Sequence, residues 1–169
     1  MKKIKPLILV FLTFLTVTGF QRIKYERPLD AFTVFLGGEW VIQSDTDSGI
    51  QFEQKLVFER NLNGHIIETT SYNKRENNAW ELRNKGVRYF DKSTQTIRFS
   101  EWTRFGDVTH GVVTVSGDSI LLDYEYDGAA FRDLWVKQHK DTFNFQIGYV
   151  KDNKWEKLLL NTKAVRMRK

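Results

Sequence analysis

Charged residues that fall in step with an apolar alternation are where this sequence could do chemistry. Arg132 shares its phase with Leu134 and Val136, Glu68 with Ile66, Thr70 and Tyr72, and Arg88 with Phe90 and Trp80, while Arg98 and Glu125 are weaker members of the set. If such strands close around one dry interior, every inward charge needs a partner, because an isolated charge in a low-dielectric medium is costly. The expected arrangement is an internal pair of Arg132 with Glu68 that grips a carboxylate, phosphate or other polar head. Arg88 and Tyr72 would stand beside it, and the aromatic faces of Tyr124 and Phe145 would hold an apolar body. Glu68 and Tyr72 on one face would also suit acid–base work on a small lipid or phenolic substrate. In residues 131–136 the phase is ambiguous, since Phe131 and Trp135 lie on the opposite face from Leu134 and Val136.

The established catalytic patterns are missing. The chain has no P-loop, no G-x-G-x-x-G, no H-E-x-x-H, no G-x-S-x-G and no C-x-x-C. His65, His110 and His139 each have a turn close by, which suits surface imidazoles better than ligands. Asp45, Asp47 and Gly49 have the spacing that opens a calcium loop, but a third ligand is lacking and Leu56 stands at the twelfth position instead of a bidentate Glu, so a hairpin turn is expected. No catalytic set, metal site or cofactor is expected from these residues.

The elements that must position the charged residues are strands. Beyond Gly38 the chain alternates with period two and is broken at nine places by turn-formers such as Asn63-Gly64, Gly117-Asp118 and Asp127-Gly128, which delimits ten strands. The clearest carry Phe52, Gln54, Leu56 and Phe58 on one face, then Ile120, Leu122, Tyr124 and Tyr126, then Phe143, Phe145, Ile147 and Tyr149. One short amphipathic helix is expected before them, because Leu29, Phe32, Phe35 and Leu36 recur at helical spacing and Gly37 stands where a helix would end. Ten strands in one open sheet would leave two sticky edges. An all-β fold, a closed antiparallel up-and-down barrel with the short helix covering a mouth, is therefore expected over a sandwich.

Composition agrees with one domain. The chain has 169 residues, of which 41% are hydrophobic and 14% aromatic, with two prolines and no cysteine. That excludes collagen-like, disordered and disulfide-stapled classes. Lys2, Lys3 and Lys5 precede an apolar run from Pro6 to Val17, too short for a bilayer-spanning helix and followed by polar residues. Residues 1–19 therefore read as a signal peptide cleaved close to Phe20, with a retained anchor as the alternative, and residues 20–27 as a short segment before a barrel domain over 28–169. Export to the periplasm or the extracellular space is the expected localisation. Three of the 26 basic residues and none of the 21 acidic ones lie in that peptide, which leaves a net charge of +2 on the rest. An excess this small gives no footprint for nucleic acid, and the basic cluster Lys163, Arg166, Arg168 and Lys169 reads as a solvated strand end.

Leu36-Gly-Gly-Glu-Trp40 resembles the Gly-x-Trp signature at the start of the barrel in lipocalins and other calycins. Arg88-Tyr-Phe-Asp91, Glu101-Trp102, Phe131-Arg132, Asp141-Thr-Phe143, Lys151-Asp-Asn-Lys-Trp155 and Arg166 follow, and in this order and spacing the chain is similar to lipocalin-like bacterial domains of unknown function from Leu29 to Arg168. Asp152-Asn153 departs from the Gly-containing turn usual there. The resemblance implies a barrel with an internal cavity, in which Trp40 plugs the closed end and Arg166 from the last strand packs across it. It also admits haem, for which His110, in phase with Val108 and Val112, is the one candidate ligand.

The expectation is an exported binding protein that holds a small apolar or amphipathic ligand in a barrel cavity. Its rivals are an enzyme of calycin fold and a cavity-less envelope module that interacts through exposed aromatics such as Trp80, Trp102 and Trp155. A perturbed carboxylate inside the cavity would favour the enzyme.

Overall fold

The computed structural model describes residues 27–45 and 51–167. The expected signal peptide, its cleavage point and most of the Asp45–Gly49 turn lie outside the described residues. The ten strands run in chain order as β1 (Glu39–Asp45), β2 (Gln51–Asn61), β3 (Ile66–Lys74), β4 (Trp80–Asp91), β5 (Thr96–Thr103), β6 (Val108–Ser116), β7 (Ser119–Tyr126), β8 (Ala129–His139), β9 (Thr142–Lys151) and β10 (Lys154–Met167). Each strand pairs antiparallel with its chain neighbours, and β1 pairs with β10 to close the barrel. The seam runs from Glu39 opposite Met167 to Gln43 opposite Lys163. Closure leaves no unpaired edge, which answers the problem that ten strands in an open sheet would pose.

The predicted helix is present at Pro28–Phe35, but it is a 3-10 helix. Eight residues that open on a proline and include β-branched Thr33 and Val34 gain little from the longer-period hydrogen bonds of an α-helix. What fixes the segment is packing: Leu29, Ala31, Phe32 and Phe35 are buried. Phe35 is the centre of an aromatic plug, with ring centroids at 4.7 Å from Phe58, 4.8 Å from Phe143, 5.3 Å from Trp135 and 5.4 Å from Trp40. Two arginines tie the helix to the wall. Arg60 donates to Asp30 Oδ1 at 2.9 Å, Thr33 Oγ1 at 3.1 Å and the Leu29 carbonyl at 3.3 Å, and Arg166 donates to the carbonyls of Leu36 and Val34. One end of the barrel is thereby closed. The other end is framed by the β3–β4, β5–β6 and β7–β8 hairpins and the beginning of β10.

Inward and outward faces follow from the pleat. Inside lie Trp40 and Ile42 of β1, Gln54, Leu56 and Phe58 of β2, Ile97 and Phe99 of β5, Ile120 and Leu122 of β7, and Phe143 and Phe145 of β9, all buried. One glycine has a visible reason. Gly111 of β6 stands opposite Phe99, and a Cβ there would collide with the Phe99 ring and the Asp123 carbonyl. Its missing side chain lets the Phe99 ring lie across β6 within the interior wall.

Candidate functional site

Above the aromatic plug the barrel is hollow. A cavity of about 640 Å3 opens toward the unplugged end, with Phe32, Phe35, Leu56, Phe58, Phe99, Ile120, Leu122, Trp135 and Phe145 among its walls. A site of this volume, mostly apolar with a few convergent polar groups, is of the kind that takes small molecules. Its polar groups include Gln54 of β2, Ser71 of β3, Asn84 and Arg88 of β4, Glu101 of β5, Tyr124 of β7 and Asp133 of β8.

Arg88 is the most deeply placed charge, with 6% of its surface exposed. It donates to Thr69 Oγ1, its Nη2 lies 3.9 Å from Glu101 Oε2, and its guanidinium carbon sits 5.6 Å from the Phe58 ring centroid. Its Nε is buried without a hydrogen-bond partner among the described residues. Burial lowers the Arg88 pKa, against the opposing pull of Glu101 and Asp133. Glu101 is held from its other side by Asn84, whose Nδ2 donates to Oε1 at 2.6 Å.

Asp133 faces the cavity between Phe131 and Trp135. The Tyr124 hydroxyl donates to its Oδ1 at 3.0 Å and is the one hydrogen-bond donor that the described residues give it. Desolvation pushes the Asp133 carboxyl up to about 7, because the Tyr124 bond and the positive charges of Arg88 and Arg83 offset burial only in part and Glu101 adds repulsion. Desolvation and the same acid raise the Tyr124 phenol in turn. The tyrosine that donates to the acid is itself packed among rings: Tyr124 stacks on Phe131 at 5.6 Å and meets Phe99 edge-on at 5.8 Å. Nearer the mouth, Arg104 and Arg75 pair with Glu81, and the Arg104 guanidinium carbon lies 4.6 Å from the ring centroid of Phe105, a residue 77% exposed.

Of the residues that sequence alone proposes for the cavity, Arg88, Tyr124 and Phe145 line it. Arg132, Glu68 and Tyr72 do not. Arg132 lies on the outer face of β8 and forms a two-point pair with Asp123, Nε to Oδ1 at 2.5 Å and Nη2 to Oδ2 at 3.0 Å. Glu68 accepts from Asn61 Nδ2 at 3.2 Å, on the outside of β3. Tyr72 joins Trp80 around Lys55 in an outer cation–π cluster at 5.1 and 5.0 Å. The expected internal pair of Arg132 with Glu68 is therefore not formed, and Arg88 with Glu101 occupies that role. In β8 the aromatic residues Phe131 and Trp135 take the interior, which forces Arg132, Leu134 and Val136 outward. In β3 the interior admits Ile67 and the small residues Thr69 and Ser71, which sends Glu68 and Tyr72 out. Trp80 parts from the phase of Arg88 through a register shift beside Ser71 and Tyr72.

Trp40 and Arg166 sit where the resemblance puts them, at the closed end. Trp40 is fully buried and donates from Nε1 to the Phe35 carbonyl at 3.0 Å. His110 is exposed on the outer face, bonded at 2.8 Å to Ser100. That removes it as a ligand to anything inside. No group of three metal-binding side chains lies together among the described residues.

Sequence alone does not single out Asp133, Glu101 or Asn84 as cavity residues. A signal exists for two of them: Asp133 alternates with Phe131 and Trp135, and Glu101 with Ile97 and Phe99. A single acid flanked by aromatics at period two is the mark of a charge inside a wall.

These features define a closed ten-strand antiparallel β-barrel, plugged at one end and hollow toward the other. That architecture agrees with the calycin type of barrel. No family model and no curated protein matches the chain in sequence.

Proposed function

We propose that this chain is an exported binding protein whose cavity holds a small apolar or amphipathic molecule. The observation that carries the proposal is the joint presence of a sealed aromatic floor, a hollow of about 640 Å3 and one open mouth. Apolar walls provide affinity roughly in proportion to the area they withdraw from water. The Arg88, Glu101 and Asp133 cluster supplies the few polar contacts that fix orientation. An interior of this volume weighs against a barrel packed solid and used only as an interaction module. Export rests on the basic and apolar composition of residues 1–19 and is tested by the intact mass of the secreted chain, expected to begin close to Phe20.

The enzyme alternative gains one specific observation. Asp133 is a carboxylate held near neutrality beside a tyrosine and across from an arginine, and such a group is suited to moving protons on a bound substrate. Native mass spectrometry of protein purified from its own host separates the readings. A retained, chemically unchanged small molecule is the expected result. A barrel that arrives empty and takes up neither decanol nor decylamine would count against binding altogether.

A further inference from the structure

The interior charges do not balance. Two carboxylates, Glu101 and Asp133, share one deeply buried cation, Arg88, and that cation already engages Glu101 and Thr69. Among the described residues Asp133 has only the Tyr124 hydroxyl. The groups that face it are Tyr124 from β7, Arg88 and Arg83 from β4 and Glu101 from β5, while its pairing partner on β9 is the apolar Ile147. Arg83 stands at the exposed mouth, where solvent screens it. Tyr124, the acid's donor, stacks on Phe131 and meets Phe99 edge-on, and all three rings line the cavity. A desolvated carboxylate amid aromatic rings is matched by a cation with apolar flanks, since the carboxylate supplies charge and the π faces supply quadrupole attraction.

Building on the binding function proposed above, we propose that the molecule held in the cavity is a protonated amine, its ammonium seated on Asp133 beside Tyr124 and its apolar body along Leu122, Trp135 and Phe145. An ammonium restores neutrality to the two-acid, one-arginine cluster. A carboxylate or phosphate head would instead bring further negative charge beside Glu101 and Asp133. Entry of the amine is coupled to release of a proton: an alkylamine stays protonated to about pH 10, whereas Asp133, held near 7 when the cavity is free of ligand, must ionise to receive it.

The test uses three probes with one apolar chain and different heads, decylamine, decanol and decanoate, titrated calorimetrically into the full-length mature protein. Decylamine is expected to bind about tenfold or more tighter than decanol, with decanoate weakest, since a charge-assisted contact adds roughly that factor. In Asp133→Asn, which keeps the shape and the acceptor for Tyr124, the amine preference should vanish while decanol binding persists. Titration at pH 6 in two buffers of different ionisation enthalpy should show close to one proton released per decylamine in the native protein and none in the variant. Equal binding of decylamine and decanol, or tightest binding of decanoate, would overturn the amine proposal and leave the binding function standing. Failure of all three probes to bind would overturn both.

Discussion

The guanidinium carbon of Arg166 sits 4.7 Å from the centroid of the Trp40 ring, and the two residues face each other across the strand pair that closes the barrel. The same guanidinium reaches the Val34 and Leu36 carbonyls and pairs with Asp141 Oδ1 at 3.1 Å. One side chain thus links the first strand, the last strand, the β8–β9 turn and the plugging helix. The chain has no cysteine, so no disulfide shares in holding the floor of the cavity.

Truncation of either partner should loosen the floor. Trp40→Ala removes a fully buried ring and should cost about 3–5 kcal/mol. Arg166→Lys keeps the charge but loses the fork that reaches two carbonyls, and should cost about 1–3 kcal/mol. Urea denaturation measures both. A loss below about 1 kcal/mol for Trp40→Ala would mean that the ring is no plug.

The acid in the cavity should leave a signature in the pH dependence of stability. Asp133 titrates near 7 in the folded chain against an ordinary carboxylate value of 3.8. Between those values the native state binds more protons than the unfolded one, so this residue's contribution falls as pH rises from about 4 to 7 and is constant above. The difference in stability, Asp133→Asn minus native, should therefore grow across that interval by on the order of 3 kcal/mol and then level off. Parallel profiles would show that Asp133 is not desolvated.

Charges on the outer wall should behave otherwise. Arg132→Ala and Glu68→Ala should each cost about 1 kcal/mol or less, add simply in the double variant and leave ligand binding unchanged, because solvent screens an outer ion pair and the two residues share no contact. A larger, non-additive loss measured by urea denaturation would place both inside.

These outcomes separate what the sequence disclosed from what it concealed. Ten strands were legible because turn pairs such as Gly117-Asp118 and Asp127-Gly128 punctuate an otherwise regular alternation. The phases of β7 and β9 were legible too, since Leu122 and Tyr124 or Phe143 and Phe145 oppose acids and amides. In β8 both faces are apolar, so hydrophobicity could not decide between Phe131 with Trp135 and Leu134 with Val136. Ring size decided it, as the larger residues filled the wide interior of a ten-strand barrel. The polar cluster was hidden for a different reason. Arg88, Glu101, Tyr124 and Asp133 stand on four strands and converge only when the barrel closes, a relation that no spacing along the chain encodes.

That the interior is a ligand site rather than unused space is tested most directly by filling it. Ile120 and Leu122 are buried neighbours on the cavity face of β7. An Ile120→Trp/Leu122→Trp variant, checked for retained β structure by circular dichroism, is titrated with the uncharged fluorophore Nile red beside the native protein. Saturable uptake of about one probe per chain by the native protein, with affinity reduced at least tenfold in the filled variant, is the predicted result. Equal uptake by the two proteins, or none by the native one, would contradict a binding cavity.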